Sequence, residues 1–316
     1  MKIVIPGGSG QVGTLLARKF VEDGHDVVVF GRNPKPADWR VLSWDGETLG
    51  AWASEIEGSD VVINLAGRNV NCRYNPENRR EIIDSRVNST RIVGEAISKA
   101  SNPPKVWLQA STATIYAHRF DAANDELAGI IGGTEPDVPE TWNFSIEVAK
   151  RWEQAAAEAL TPKTRKVLMR SAITLSPDRG GIFDVLLGLV RRGVGGTAGN
   201  GHQYISWIHD RDFIRSIYWL IDHEELSGAI NLAAPNPLPN KEFMKILRDA
   251  WRTKIGLPAT ELMLHFAAIF MRTETELILK SRRVVPTRML ESGFKFEFPD
   301  WESAAQNLCQ RWREQN

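Results

Sequence analysis

The chain has 316 residues, of which 42% are hydrophobic and 25% charged, enough to bury the core of one large or two moderate globular domains. Lysine plus arginine and aspartate plus glutamate balance at 39 each, which argues against nucleic acid or an anionic membrane as the main partner. The two cysteines, Cys72 and Cys309, lack metal-ligand spacing and are too few for a disulfide scaffold. With no secretory signal pattern and no apolar segment of membrane length, these features predict a cytoplasmic protein without a metal site.

The first predicted element is a strand of four residues from Lys2, which runs into three glycines spaced three residues apart, Gly7, Gly10 and Gly13. A helical apolar pattern follows and ends near Gly24. In such a strand–turn–helix, the first glycine makes the tight turn and the second lets the backbone approach a pyrophosphate. The third lets the helix pack close to the strand. Chance matches are frequent in a chain with 25 glycines, but the position between a strand and a helix favours a dinucleotide-binding turn.

The end of the next strand indicates which dinucleotide binds. The run HDVVVF over 25–30 predicts a buried parallel strand, and Gly31 and Arg32 follow it. NAD-selective sites usually carry an acidic residue here for the ribose 2′-hydroxyl, and this sequence has none before Asp38. An arginine at this point can pair with a 2′-phosphate, so the sequence favours NADP(H). The alternative for Arg32 taken alone is a solvated loop cation.

Strands and helices continue to alternate through the first half. A strand over 60–64 ends at Leu65-Ala66-Gly67, where the adenosine side of a dinucleotide could lie on the backbone; a plain strand-to-helix turn is the alternative. Asn75 is predicted to cap a helix that runs to about Lys99. A strand over 105–110, a helix over 144–160 and a strand over 166–170 follow. This alternation predicts right-handed βαβ units and a Rossmann-type, doubly wound parallel α/β sheet.

The second half predicts a smaller substrate-side region. A helix over 182–192 precedes the glycine-rich segment 193–201, interpreted as a lid over a ligand, with a long surface loop as the alternative. We expect a strand over 204–209, a helix over 211–221 capped by Asp210, a strand over 229–233, helices over 241–252, 260–271 and 274–283, an alternating aromatic segment over 293–298 and a last helix. The predicted domains are 1–170 with 203–234, which binds NADP, and 171–202 with 235–316, a mostly helical cap.

These residues resemble the extended, atypical short-chain dehydrogenase/reductase superfamily, and more narrowly its epimerase-like YfcH-type branch with its C-terminal domain. The matching stretches cover nearly the whole chain: GGSGQVG (7–13), GR (31–32), INLAGRNV (63–70), REIIDSRVNST (80–90), STATIY (111–116), AKRWEQAA (149–156), GNGHQYISWIHDRDFIRSI (199–217), GAINLAAPNPLPNKEF (228–243) and SRRVVPTRMLESGFKFEFPD (281–300). The resemblance implies NADP(H) binding by Gly7, Ser9, Gly10, Gln11, Val12, Gly13, Arg32, Leu65 and Ala66. It also implies that Glu81 and Arg86, otherwise solvated helix residues, lie near the cofactor.

The chain departs from this superfamily at the catalytic pair, a tyrosine with a lysine four residues later. None of the four tyrosines, Tyr74, Tyr116, Tyr204 and Tyr218, has a lysine at that distance. Alignment on the superfamily pattern puts Ser145 and Ala149 at the two positions. Neither can act as a phenolic acid–base group.

Another group would therefore deliver the proton, and the candidates are Tyr116, His118, Ser145 and water, with Thr112 as a further catalytic candidate that polarises the substrate oxygen. Thr112 matches the third member of the superfamily set and could bind a substrate oxygen, or it could only cap its own turn. His118 follows a strand end, where sites in open sheets form, although a solvated loop histidine is the alternative. In the second half, His209 could face the cleft, core packing is favoured for Trp207, and Arg282 and Arg283 could meet an anionic substrate or act as helix-end cations.

Three hypotheses follow. The first is an NADP(H)-dependent oxidoreductase that transfers hydride to or from a small carbonyl or alcohol substrate, with a non-standard proton donor. The second is an NADP(H)-binding sensor or regulatory protein that has lost the chemistry. The third, ranked last, is a sugar-nucleotide epimerase, since that reaction relies on the missing pair. The resemblance leaves a homodimer open, and the sequence does not identify the substrate.

Overall fold

The computed structural model describes residues 1–135, 138–260, 263, 274 and 276–315. The strands are β1 (Lys2–Pro6), β2 (Asp26–Gly31), β3 (Arg40–Ser43), β4 (Val61–Asn64), β5 (Val106–Thr112), β6 (Arg165–Ser171), β7 (Ile173–Leu175), β8 (Tyr204–Ile205), β9 (Trp207–His209), β10 (Gly228–Leu232) and β11 (Leu238–Pro239). The helices are α1 (Gln11–Glu22), α2 (Pro76–Lys99), α3 (Glu140–Glu158), α4 (Ile182–Arg191), α5 (Asp210–Asp222), α6 (Asn240–Trp251), α7 (Glu276–Leu279), α8 (Thr287–Glu291) and α9 (Trp301–Gln315). Among the described residues, no helix is long and apolar enough to cross a membrane.

Seven strands form one parallel sheet in the order β10-β6-β5-β4-β1-β2-β3. The chain moves outward from β1 through β2 to β3, and then from β4 in the opposite direction. The switch point therefore lies between β1 and β4, and in open α/β sheets a crevice for ligands forms at the carboxyl ends of such strands. The predicted Rossmann-type, doubly wound parallel sheet is confirmed.

The sheet strands are apolar on both faces because helices cover both sides. Ile3 and Ile5 of β1 face one core, to which α1 and α5 contribute, whereas Val4 faces a second core that includes residues of α2. This alternation follows from the two-residue repeat of a strand. Asn75 caps α2 as predicted, because its side chain accepts a hydrogen bond from the Asn78 N–H at 2.8 Å.

The second half of the chain builds a core of its own from α4, α6 and α9. Phe243 of α6 stacks on Trp301 of α9 with ring centroids 4.1 Å apart, and Phe183 of α4 is fully buried in the same cluster. The alternating segment also docks as predicted, since Phe294 and Phe298 are buried. A helical C-terminal region is thus present, while the exact domain boundaries stay a prediction.

Four local predictions differ from the structure. The strand β3 was not predicted, because four residues of mixed polarity at a sheet edge give no clear apolar pattern. The expected strand over 204–209 is split into β8, paired with β11, and β9, paired with β7. The cap of α5 is His209 rather than Asp210, and the helix expected over 274–283 is described only over Glu276–Leu279. Of the helix expected over 260–271, all but residues 260 and 263 lie outside the described residues.

Candidate active site

A side chain at each of the three glycines of the first turn would meet a different environment. Gly7 has φ +74°, and a Cβ there would overlap the Ala66 backbone, so the turn can lie against the end of β4 only with glycine. A Cβ on Gly13 would overlap the Gly8 backbone, which explains how α1 begins so close to the turn. A Cβ on Gly10 would meet no protein atom within 4 Å. The backbone at Gly10 is therefore open to a ligand.

The N-terminus of α1 points at the same open space. Gly10 is its N-cap and supplies no side-chain hydrogen bond, and the first turn carries no acidic residue. The first N–H groups of the helix are thus available to an anion, which the helix dipole also favours. Gln11 is exposed and donates from Nε2 to the Ser176 hydroxyl at 3.0 Å, while Val12 packs on the core. Ser9 is exposed beside the turn.

The end of β2 provides an exposed cation next to this turn. Gly31 is buried, and a Cβ on it would lie 3.3 Å from the Ser9 hydroxyl oxygen. Arg32 is exposed and forms no hydrogen bond or ion pair with the part of the chain that the structure describes. An uncommitted guanidinium at the carboxyl end of β2 can bind a ribose 2′-phosphate in the way the sequence predicts.

The end of β4 forms the other wall of the crevice. The Asn64 side chain accepts from the Ala66 N–H at 3.1 Å and donates to Gln109 at 2.9 Å, which fixes the turn after the strand. Ala66 is buried, and Leu65 and Gly67 are more accessible. A Cβ on Gly67 would come within 3.0 Å of the Arg86 guanidinium carbon. Leu65–Gly67 therefore lies between the glycine turn and Arg86.

Glu81 and Arg86, which the resemblance places together near the cofactor, lie in different environments. Glu81 is exposed and pairs with Arg68, so its carboxylate is occupied at the surface. Arg86 is half-buried, and its guanidinium lies 5.0 Å from the ring centroid of Trp152 and donates to the Ile82 carbonyl at 3.1 Å. Burial lowers the pKa of Arg86 to about 10, so it remains charged at neutral pH.

A cavity of about 130 Å³ lies at the carboxyl end of β5. Its apolar wall consists of Val70, Ile82, Phe144, Val148 and Trp152, and its polar wall consists of Tyr74, Arg86, Thr112, Thr114 and Ser145. Two of the four predicted catalytic residues, Thr112 and Ser145, are thus brought together at one cavity. The Thr112 hydroxyl also accepts from the Thr114 N–H at 3.1 Å, so it caps its own turn as well.

Ser145 connects this cavity to a buried carboxyl group. Its hydroxyl donates to Oε2 of Glu276 at 2.5 Å, and Glu276 is 2% exposed. Lys280 lies 3.8 Å from Oε1 of Glu276 and donates to the Thr114 carbonyl at 2.9 Å. Burial raises the pKa of Glu276, and burial lowers the pKa of Lys280 to about 8.

Tyr74 also lines the cavity, and the sequence did not predict it as a site residue. It was tested only as the first member of a tyrosine–lysine pair, and no local pattern places it opposite α3. Burial and the nearby Glu276 carboxylate raise the pKa of Tyr74 to about 12, and hydrogen bonding with Ser145 opposes the shift. Tyr74 therefore remains protonated at neutral pH. Glu276 and Lys280 were missed too, although their four-residue spacing on a predicted helix was a usable signal.

The lysine position of the missing pair is occupied by a buried alanine that can transfer no proton. Ala149 is fully buried in a cluster that includes Val284. Lys150 points elsewhere and donates to the Gly132 carbonyl at 2.9 Å. Glu153, four residues beyond Ala149, forms a bidentate ion pair with Arg170 at 2.8 and 2.7 Å. No side chain in the described part of α3 replaces the lysine.

Two catalytic candidates are corrected. Tyr116 is 2% exposed, and its hydroxyl donates to Asn231 and accepts from Arg170, both at 3.0 Å, so it does not line the cavity. His118 accepts from the Ser281 N–H at Nδ1 (2.8 Å) and packs edge-on against Trp142. Both residues fasten distant parts of the chain together, a role that their positions after β5 did not reveal.

Two expectations for the second half also change. His209 is fully buried and stacks on Phe298 with centroids 3.9 Å apart, so it does not face the cleft, whereas Trp207 is core as predicted. Arg282 is turned inward and donates to the Thr114 hydroxyl at 3.1 Å, and Arg283 donates to the Phe120 carbonyl at 3.0 Å.

The glycine-rich segment 193–201 is fastened rather than free. Backbone hydrogen bonds of 2.8 to 3.1 Å join it in both directions to Leu257 and Ala259. A lid motion would have to break these bonds. A separate groove of about 370 Å³ beside this segment is lined by residues such as Asn200, Tyr204 and Lys241, and none of the predicted site residues lines it. In the described part of the chain, no cluster of three or more His, Cys, Asp or Glu residues could hold a metal ion.

Comparisons with known proteins agree with this architecture. The model of the NAD dependent epimerase/dehydratase family matches residues 3–137, and a domain of unknown function, DUF1731, matches residues 260–308. The human epimerase family protein SDR39U1 is 30% identical over 98% of this chain and 99% of its own, and the Bacillus subtilis epimerase family protein YfhF is 30% identical over 98% of each. A crystal structure of human SDR39U1 with NADPH superposes with a TM-score of 0.85, at 29% identity, over 98% of this chain and 99% of that one. The chain belongs to the NAD-dependent epimerase/dehydratase family and carries the DUF1731 C-terminal domain.

Proposed function

We propose that this protein is an NADP(H)-dependent oxidoreductase that acts on a small carbonyl or alcohol substrate. The observation that carries the proposal is the cavity at the carboxyl end of β5. Thr112 and Ser145 both line this cavity, and the crevice at the start of α1 has an open backbone at Gly10. The NADPH-bound human relative, which has the same fold over nearly its whole length, supports the choice of cofactor.

The residues of the crevice fit a dinucleotide phosphate. The open backbone at Gly10 and the free N–H groups of α1 would hold the pyrophosphate, and Arg32 would pair with the 2′-phosphate. Leu65 and Ala66 would support the adenosine side. When bound there, NADP(H) supplies or accepts the hydride of the reaction.

The cavity residues would orient the substrate and handle its proton. Thr112 and Ser145 are placed to hydrogen-bond one substrate oxygen, and Arg86 makes the cavity positive. The apolar wall, which includes Phe144 and Trp152, limits water around the reacting carbon. A volume of about 130 Å³ restricts this part of the substrate to a few heavy atoms.

The cofactor assignment is tested by titrating the protein with NADPH and with NADH. We expect NADPH to bind more tightly, and Arg32→Ala to weaken NADPH by about tenfold to a hundredfold while NADH changes little. Arg91→Ala, which removes an exposed arginine of α2, is the matched control. Equal affinity for the two nucleotides in the wild type would overturn the role of Arg32.

The oxidoreductase assignment is tested with a panel of small carbonyl compounds, followed through NADPH absorbance. We expect turnover with at least one compound and a loss of about a hundredfold or more in Ser145→Ala. Ser216→Ala is the control, because Ser216 is a buried helical serine that bonds only its own helix at Asp212.

A second function, an NADP(H)-binding sensor, is favoured by a specific observation. Ala149 is buried where the superfamily has its lysine, so the usual acid–base pair is absent. NADPH binding without oxidation of NADPH across the whole panel would support the sensor. Epimerisation of a sugar nucleotide remains the lowest-ranked alternative for the same reason.

A further inference from the structure

Glu276 is a buried acidic residue whose hydrogen bonding is incomplete. Glu276 is 2% exposed, and the hydroxyl of Ser145, which lines the cavity, donates to its Oε2 at 2.5 Å. The other oxygen, Oε1, has no hydrogen-bond partner among the described residues. Leaving a buried carboxylate oxygen without a partner is unfavourable, so a purely structural contact would be expected to satisfy it.

Two cationic side chains lie near Oε1 of Glu276 but do not hydrogen-bond to it. Lys280 Nζ and an Arg282 nitrogen lie 3.8 and 3.9 Å from Oε1, beyond hydrogen-bond distance. Both cations are bound to Thr114, the residue whose N–H donates to the Thr112 hydroxyl. Lys280 donates to the Thr114 carbonyl and Arg282 donates to the Thr114 hydroxyl. The carboxyl group therefore sits in a positive surrounding that is tied to the cavity wall.

We propose that Glu276 exchanges the proton of the reaction through Ser145, and that Lys280 sets the charge state of Glu276. This inference rests on the proposed oxidoreductase function and extends it, because it assigns a proton path in place of the missing tyrosine and lysine. Ser145 is the catalytic residue at the cavity. Glu276 and Lys280 act through it as positioning residues.

The step balances in the direction of alcohol oxidation. The substrate carbon loses hydride with its bonding pair to the bound NADP, and the substrate O–H bond breaks as its proton moves to Oγ of Ser145. The proton already on Ser145 moves to Oε2 of Glu276, along the hydrogen bond present in the structure. A carbonyl product and a neutral Glu276 remain. Carbonyl reduction runs the same transfers in reverse.

The charges around the pair suit this exchange. Burial raises the pKa of Glu276 above its usual range, and the positive charges of Arg282 and Lys280 oppose the rise. Burial lowers the pKa of Lys280 to about 8. Tyr74 from the loop before α2 and Glu274 also face Glu276. Glu135 acts on Lys280 from the loop before α3, and Lys280 in turn acts on His118. General acid–base groups work best with a pKa near the working pH.

The experiment compares pH profiles of kcat for the wild type and for Glu276→Gln, with NADPH and the best carbonyl substrate of the panel. We expect Glu276→Gln to lower kcat by about a hundredfold or more and to remove the ionisation that belongs to Glu276, with little change in KM. Glu126→Gln is the control, since Glu126 is a half-buried glutamate that accepts from the Asn231 N–H and does not line the cavity. Lys280→Met should move the remaining ionisation to higher pH, because it removes a positive charge near the carboxyl.

Infrared spectroscopy of the carboxyl group supplies a second readout that does not need turnover. We expect a protonated-carboxyl band that titrates above the usual glutamate range, is lost in Glu276→Gln, and shifts in Ser145→Ala but not in Glu126→Gln. If no carbonyl compound is reduced, the proposed function fails, while this band still decides whether the exchanging pair exists. An unchanged pH profile in Glu276→Gln, or a band that ignores Ser145, would overturn the inference and leave Glu276 as a structural clamp.

Discussion

Replacing Gly10 with alanine should separate cofactor binding from folding. Gly10 has φ −80° and ψ 175°, which alanine adopts freely, and the added Cβ meets no protein atom within 4 Å. Alanine is a poorer N-cap than glycine, so the free energy of unfolding should fall by about 1 kcal/mol or less. The methyl group would project into the space assigned to the pyrophosphate. The loss of one hydrogen bond to a charged phosphate, about 1.5–3 kcal/mol, corresponds to a Kd about tenfold to a hundredfold weaker.

Two other glycines make this comparison specific. Gly13→Ala would place a Cβ into the Gly8 backbone and should destabilise the fold itself. Gly24 has φ +79° and open space around its Cβ position, so Gly24→Ala should cost about 1–2 kcal/mol of backbone strain without touching the crevice.

NADPH fluorescence titration gives the affinities, and urea unfolding gives the stabilities. We expect Gly10→Ala to have a free energy of unfolding close to that of the wild type and to bind NADPH weakly. We expect Gly24→Ala to be less stable than the wild type and to bind NADPH with unchanged affinity. Unchanged NADPH affinity in a folded Gly10→Ala protein would refute the placement of the pyrophosphate at this turn.

Two further predictions concern the stability of the fold. The pKa of Asp210, which is 1% exposed and bonded bidentately by Arg311, is lowered to about 2 by the hydrogen bonds of His209 and Arg311 against the opposing effect of burial. A depressed folded pKa contributes stability above the unfolded value near 3.8, so about 2 kcal/mol should be lost as pH falls from about 4 to 2, and urea unfolding of Asp210→Asn should lack this loss. Glu153→Ala should destabilise by about 3–5 kcal/mol because it leaves Arg170 without its bidentate partner; if the double variant with Arg170→Met is as unstable as the sum of the single changes, the pair is not coupled.

The parts of this molecule that local sequence determines were predictable. The glycine turn, the cap at Asn75 and the strand–helix alternation each depend on residues within a few positions of one another. The same turn lies against the end of β4, because Gly7 can approach Ala66 only without a side chain.

The acid–base side of the site depends on contacts between distant parts of the chain. Ser145 and Glu276 are 131 residues apart, and Tyr116 meets Asn231 across 115 residues. Nothing in the spacing near Tyr116 showed that its hydroxyl would be used up in the core. In the same way, the position of His118 after a strand end predicted a site, whereas its ring accepts a hydrogen bond from the Ser281 backbone. Tertiary packing, which no short pattern encodes, decided these roles.

The central claim is that the reacting end of NADP(H) meets the hydroxyls of Thr112 and Ser145. A crystal structure of the full chain with NADPH tests it directly. We expect the pyrophosphate at Gly10 and the start of α1, the 2′-phosphate at Arg32, and C4 of the nicotinamide facing the cavity beside Ser145. A nicotinamide ring that lies outside this cavity, with Ser145 out of reach of C4 and of any substrate bound there, would contradict the account.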